Sequence, residues 1–107
     1  MLRANIILLT VALIVPNAWA AEDPYYDLIY DYEVASFCGL IGKDVYDAFW
    51  QKRRVLETAS PRSEPHLTKT RIRAMADADL EFQNRGLGGY KPWCQSDGAA
   101  GTQRILD

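Results

Sequence analysis

The chain has 107 residues, enough for one small domain and no more. Its 14 acidic side chains slightly outnumber 12 basic ones, for a formal net charge of −2, which argues against general nucleic-acid binding because that needs a concentrated basic surface. The same balance gives no polybasic handle for an anionic membrane. There are no repeats and no low-complexity tract.

The amino-terminal residues carry the clearest pattern. Arg3 precedes an apolar run over residues 6–15, Pro16 breaks it, and Ala18-Trp19-Ala20 forms a small-x-small exit. That order predicts a cleavable signal peptide over residues 1–20. The run is half of the roughly 20 apolar residues a spanning helix needs, so stable membrane insertion after cleavage is not expected. Ala21 stands where a lipoprotein would have cysteine. Cleavage removes Arg3 and leaves a single domain over residues 21–107, with a net charge of −3. The expected location is the periplasm or the cell exterior.

An oxidising compartment favours pairing the two cysteines, Cys38 and Cys94, which belong to no Cys-x-x-Cys motif. By the chain-entropy argument, closing a loop of that length contributes about 4 kcal/mol.

From Asp23 onwards the pattern is helical. Asp23 can cap free amides and Pro24 fits the first helical position. Val34, Cys38, Ile41, Val45, Phe49 and Leu56 recur at spacings of three, four or seven, along one stripe. Read as one unbroken helix, that stripe would carry Asp27 and Asp31 into the core, where unpaired carboxylates do not belong. A bend at Gly39–Gly42 is therefore expected, giving helices over residues 24–38 and 43–58. Residues 59–64 read as a turn. A second long helix then runs to about Arg85, with Ser63 as cap and Leu67, Ala74, Met75, Ala78 and Phe82 on one side. Gly86 is its expected left-handed stop, with Leu87 making the accompanying apolar contact. Apart from Gly39 and Gly42, every glycine falls after it, at Gly86, Gly88, Gly89, Gly98 and Gly101, and that clustering reads as loop anchored by Trp93 and Cys94.

The predicted fold is all-α: a small helical hairpin or three-helix domain stapled by one disulfide. An antiparallel hairpin of residues 43–58 and 64–85, the second rising about 30 Å, would return the chain towards residues 36–40 and bring Cys94 to Cys38.

No residue pattern specifies a reaction, a metal or a cofactor. His66 is the only histidine and lies in a helix's first turn; a Cys–His nucleophilic pair would need a free thiol. No serine sits in a nucleophile elbow. Asp77, Asp79 and Glu81 fail an EF-hand match, because Phe82 and Gly88 stand where Gly and Glu are required. They read as a solvated face.

Two stretches remain as candidate binding surfaces. Asp23, Asp27 and Asp31 recur every four residues as an acidic ridge, with Tyr25, Tyr26, Tyr30 and Tyr32 around them. The ridge either meets a basic partner or a cation, or consists of helix-start acids paired internally with Arg71 or Arg73. The stretch 85–94 holds Tyr90, Lys91 and Trp93, which serve either as a recognition loop or as packing beside the disulfide. Candidate binding residues are thus Tyr26, Asp27, Tyr30, Asp31, Tyr90, Lys91 and Trp93. The expected function is a non-enzymatic exported interaction module, an inhibitor, immunity-type or accessory factor for another exported or envelope protein. The alternative is a small-ligand, cell-wall or cation-binding module.

Overall fold

In the computed structural model, which describes residues 23–85 and 89–107, the chain is all-helical and carries the Cys38–Cys94 disulfide. The expected signal peptide over residues 1–20, and the stop at Gly86 with its Leu87 contact, lie outside the described residues. None of the described helices is long and apolar enough to cross a membrane.

Helix α1 spans Pro24–Phe37 and starts as anticipated, with the Asp23 carboxylate accepting from the Tyr25 and Tyr26 amides at 3.1 and 3.3 Å. It stops at Cys38, and Gly39 turns the chain with φ +69°, a left-handed conformation that glycine adopts without steric cost. The bend falls within the expected Gly39–Gly42 window, but it does not keep Asp31 out of the core: that carboxylate is buried and paired with Arg104. Helix α2 spans Lys43–Ala59 and α3 spans Glu64–Asn84, the latter capped by the Ser63 hydroxyl.

Residues after 90 are helix, contrary to the loop expected there. A short turn α4, Lys91–Trp93, runs through a wide π-turn, Cys94–Gly98, into α5, Ala99–Leu106. Glycines inside a helix cost backbone entropy, which is why the stretch reads as loop. Here two of them allow close approach instead. A Cβ on Gly98 would lie 3.0 Å from the Cys38 Sγ, and one on Gly101 would lie 2.9 Å from the Asp31 carboxylate.

The helices run up, down, up and down. Tyr25 meets Glu57 and Tyr32 meets Phe49, so α2 is antiparallel to α1. Tyr25 meets Arg71 and Phe37 meets Phe82, so α3 runs parallel to α1. Cys38 bonds Cys94 and Asp31 meets Arg104, so the last helix returns antiparallel. The closest pairing is between α1 and α3, and α1 also packs on α2 and α5. The α2–α3 hairpin expected as the frame is thus not the main unit; α1 is the central element and the other helices surround it.

The core follows from that placement. Tyr25, Leu28 and Ile29 of α1 pack with Val45 and Phe49 of α2, Leu67 and Ala74 of α3, and Ile105 of α5. A second cluster, Val34, Ala78 and Trp93, sits by the disulfide with Phe37 and Phe82 against it. Ala74 and Ala78 let α1 approach α3 closely. Met75, expected on that face, is instead 44% exposed, and Thr70 is buried among the inward positions.

Candidate functional site

The parallel pair α1 and α3, with α5 on the other side of α1, leaves a groove over one face of α1. Tyr26, Asp27, Tyr30 and Asp31 form its floor, spaced by one, three and four so that one helical face presents all of them. Asp77, Leu80 and Glu81 of α3 form one wall and Arg104 of α5 contributes the other, around a volume of about 670 Å³. A smaller hollow of about 130 Å³ continues past Tyr30 and Asp31 to Val34, Trp93, Asp97 and Ala100.

The floor is held by specific bonds. The Tyr26 hydroxyl donates to the Asp77 carboxylate at 2.6 Å, and the Arg73 guanidinium lies over the Tyr26 ring at 4.5 Å. Burial, then the bonded Asp77 carboxylate, pushes the Tyr26 phenol up to about 12, so it stays a proton donor across the whole physiological range. Asp31 is 6% exposed, and its burial is compensated by the Arg104 Nε and Nη2, which donate to its two oxygens at 2.9 Å each. Tyr30 stacks on Tyr26 with ring centroids 6.0 Å apart. Burial and then the charges of Glu81, Asp97 and Asp31 raise its phenol above the ordinary value.

The acidic ridge is thereby divided. Asp27 and Asp31 belong to the groove, whereas Asp23 is the α1 cap and pairs with Arg62 in the turn before α3, at 2.8 Å. Asp23 and Asp31 thus pair with Arg62 and Arg104 rather than with Arg71 or Arg73. Arg104 serves Asp31, and Arg71 instead donates to the Tyr25 hydroxyl at 2.7 Å. The Tyr25 hydroxyl in turn donates to Glu57, and Arg53 also donates to that carboxylate. The solvated face expected for Asp77, Asp79 and Glu81 is corrected in part: Asp77 and Glu81 line the groove, with Glu81 also paired to Arg85 at 2.7 Å.

The second candidate surface does not survive as drawn. Trp93 is 5% exposed and packs with Val34 and Ala78, so the most recognisable hot-spot residue of that stretch is core. The physical reason is the disulfide, which draws the adjoining turn onto α1. Lys91 is exposed, and Tyr90 rests its ring on Phe82 at 5.3 Å while remaining half-exposed. They flank the end of α3 and line neither hollow of the groove.

Arg104, Asp97 and Leu80 were missed in the sequence. Leu80 and Glu81 follow the same helical phase as Asp77, which a projection of α3 makes visible once its inner face is known. Arg104 and Asp97 had no legible signal, since their segment reads as loop. Among the described residues, no three His, Cys, Asp or Glu side chains converge as a metal site would require, and both thiols are in the disulfide. No family model, curated protein or solved structure matches the chain.

Proposed function

We propose that this chain is an exported, non-enzymatic interaction module that docks a basic segment of another exported or envelope protein in the groove between α1, α3 and α5. The observation that carries the reading is the convergence of Asp27, Asp31, Asp77 and Glu81 with two stacked tyrosines in one hollow spanning three helices. Carboxylates draw in a cationic segment over a distance and tyrosine rings give it rigid contact area. Leu80 adds an exposed apolar side chain to the groove wall.

Three features favour binding over catalysis. The thiols are consumed, the single histidine is on the exposed first turn of α3, and Asp31, Asp77 and Glu81 each have a separate partner. Export is supported by the amino-terminal pattern and by the disulfide, which an oxidising compartment maintains.

Site-directed photo-crosslinking in the native compartment tests the reading. A photoreactive residue at Leu80, on the groove lip, should give a discrete protein adduct that is lost with Glu81→Lys; one at Val55, on α2, should give none. An adduct from position 55 alone, or from neither position, would overturn it.

A further inference from the structure

The groove is built from a repeated combination of aromatic ring, carboxylate and guanidinium. Arg73 lies over Tyr26, whose hydroxyl is bonded to Asp77. Arg85 lies 5.8 Å from the centre of the Trp93 ring and bonds Glu81 through Nε and Nη2 at 3.1 and 2.7 Å. Arg104 grips Asp31 through both oxygens. Among the described residues, every cation that meets these rings and carboxylates is an arginine, and no lysine lines either hollow.

Tyr30 is the exception. It is the aromatic residue common to both hollows, and no guanidinium lies on its ring among the described residues. Its hydroxyl makes no hydrogen bond among them. Burial and then the carboxylates of Glu81, Asp97 and Asp31 raise its phenol, and the Arg85 guanidinium, which lies on the Trp93 ring rather than on Tyr30, opposes them. We infer that Tyr30 is the specificity position of the groove and takes an arginine side chain of the partner, stacked on the ring and flanked by Glu81 and Asp97.

Arginine rather than lysine follows from the geometry. A planar guanidinium stacks on an aromatic face and still offers in-plane donors to carboxylates on either side, whereas an ammonium is a strongly hydrated point charge with no stacking plane. The inference rests on the groove reading above and commits to the chemistry of one side chain.

The test uses two capped, otherwise identical peptides, Gly-Arg-Gly-Arg-Gly and Gly-Lys-Gly-Lys-Gly, titrated against the oxidised chain and followed by amide chemical shifts. The arginine peptide should bind about fivefold more tightly and shift the amides around Tyr30. Tyr30→Phe, which keeps the ring, should retain the preference; Tyr30→Leu should erase it, leaving weak binding equal for both peptides. Asp97→Asn provides a second variant on a solvent-exposed side chain, and should reduce the arginine preference without touching the core.

Equal binding of the two peptides in the groove would sink the arginine inference and leave the groove reading standing. Binding of neither would sink both. Retention of the full preference in both Tyr30→Leu and Asp97→Asn would place the arginine elsewhere and refute the assignment to Tyr30.

Discussion

The two ends of α1 are held by different physics. At its start, Asp23 pairs with Arg62, and the buried Tyr25 hydroxyl joins Glu57 of α2 to Arg71 of α3. At its finish, Phe37 stacks on Phe82 with centroids 4.6 Å apart, Trp93 fills the core, and Cys38 is bonded covalently to Cys94. The first mooring is made of charges and hydroxyls at partly exposed positions; the second is apolar and covalent. One end should respond to pH and salt, the other to redox state. The groove lies between them, so its shape depends on both.

The largest effect should come from the covalent end. Cys38→Ser with Cys94→Ser, or reduction, should lower the stability by about 4 kcal/mol, since the bond closes a loop of 56 residues in sequence separation. Urea unfolding with and without reductant measures this. A loss below about 1 kcal/mol would mean that Trp93, Phe37 and Phe82 hold that end unaided, and the contrast between the two ends would collapse.

Next in size is the middle of the groove wall. Arg104→Ala leaves the buried Asp31 carboxylate without its bidentate partner and should cost about 2 kcal/mol, because a charged acceptor stripped of its donors loses its compensation for desolvation. Gly101→Ala tests the same contact sterically. Alanine gains about 1 kcal/mol of helix propensity over glycine, but its Cβ would press within 2.9 Å of an oxygen that Arg104 holds in place, so net destabilisation is expected. A more stable Gly101→Ala variant would show that the Asp31 carboxylate yields easily.

A smaller effect belongs to the polar mooring. Tyr25→Phe removes a hydroxyl that donates to Glu57 and accepts from Arg71, and should cost about 1 kcal/mol, with the loss shrinking in high salt. Chemical denaturation at two salt concentrations reads both the loss and its screening.

The smallest effect is in the pH response. The hydrogen-bonded Arg62 guanidinium, opposed by burial and helped by the Tyr26 amide, holds the Asp23 carboxyl below its ordinary value. A depressed folded-state pKa contributes stability that is fully present above the unfolded value near 4 and is lost as pH falls through the folded value. For Glu57, burial pushes upward but bonds from Tyr25 and Arg53 prevail, and the net lowering adds to the same acid limb. Stability should therefore decline below about pH 4, and Arg62→Ala should shallow that decline. An unchanged acid limb in Arg62→Ala would show that Asp23 gains nothing from its partner. The disulfide end should contribute no such slope.

How much of this was legible depends on how one-sided each helix is. Helix α2 was the plainest in the sequence because it lies on the outside: Val45 and Phe49 face inward and charged residues face out, which is the strongest periodic signal a helix can carry. Helix α1 was less plain for the opposite reason. Tyr25, Leu28, Ile29, Asp31, Val34 and Ala35 are all buried, around most of its circumference, so its pattern is weakly periodic although it is the centre of the core. A reader following periodicity alone builds the molecule around its periphery. That is how the hairpin of α2 and α3 came to stand for the frame.

The helical class, the caps at Asp23 and Ser63 and the pairing of Cys38 with Cys94 were legible in the sequence, and a bend at Gly39–Gly42 was the favoured of two readings. These depend on local chemistry or on a choice with a single answer: side-chain oxygens near free amides, a left-handed glycine, two thiols and no third. The sequence also marked Tyr26, Asp27, Tyr30 and Asp31 as one face. The central place of α1, the helix over residues 91–106, the burial of Trp93 and the closure of the groove by Arg104 over Asp31 came from long-range packing alone. Each of those depends on contacts between residues far apart in the chain. A glycine in isolation signals a loop; the same glycine against a carboxylate on another helix permits contact that no other residue allows, and nothing within its own segment records the difference.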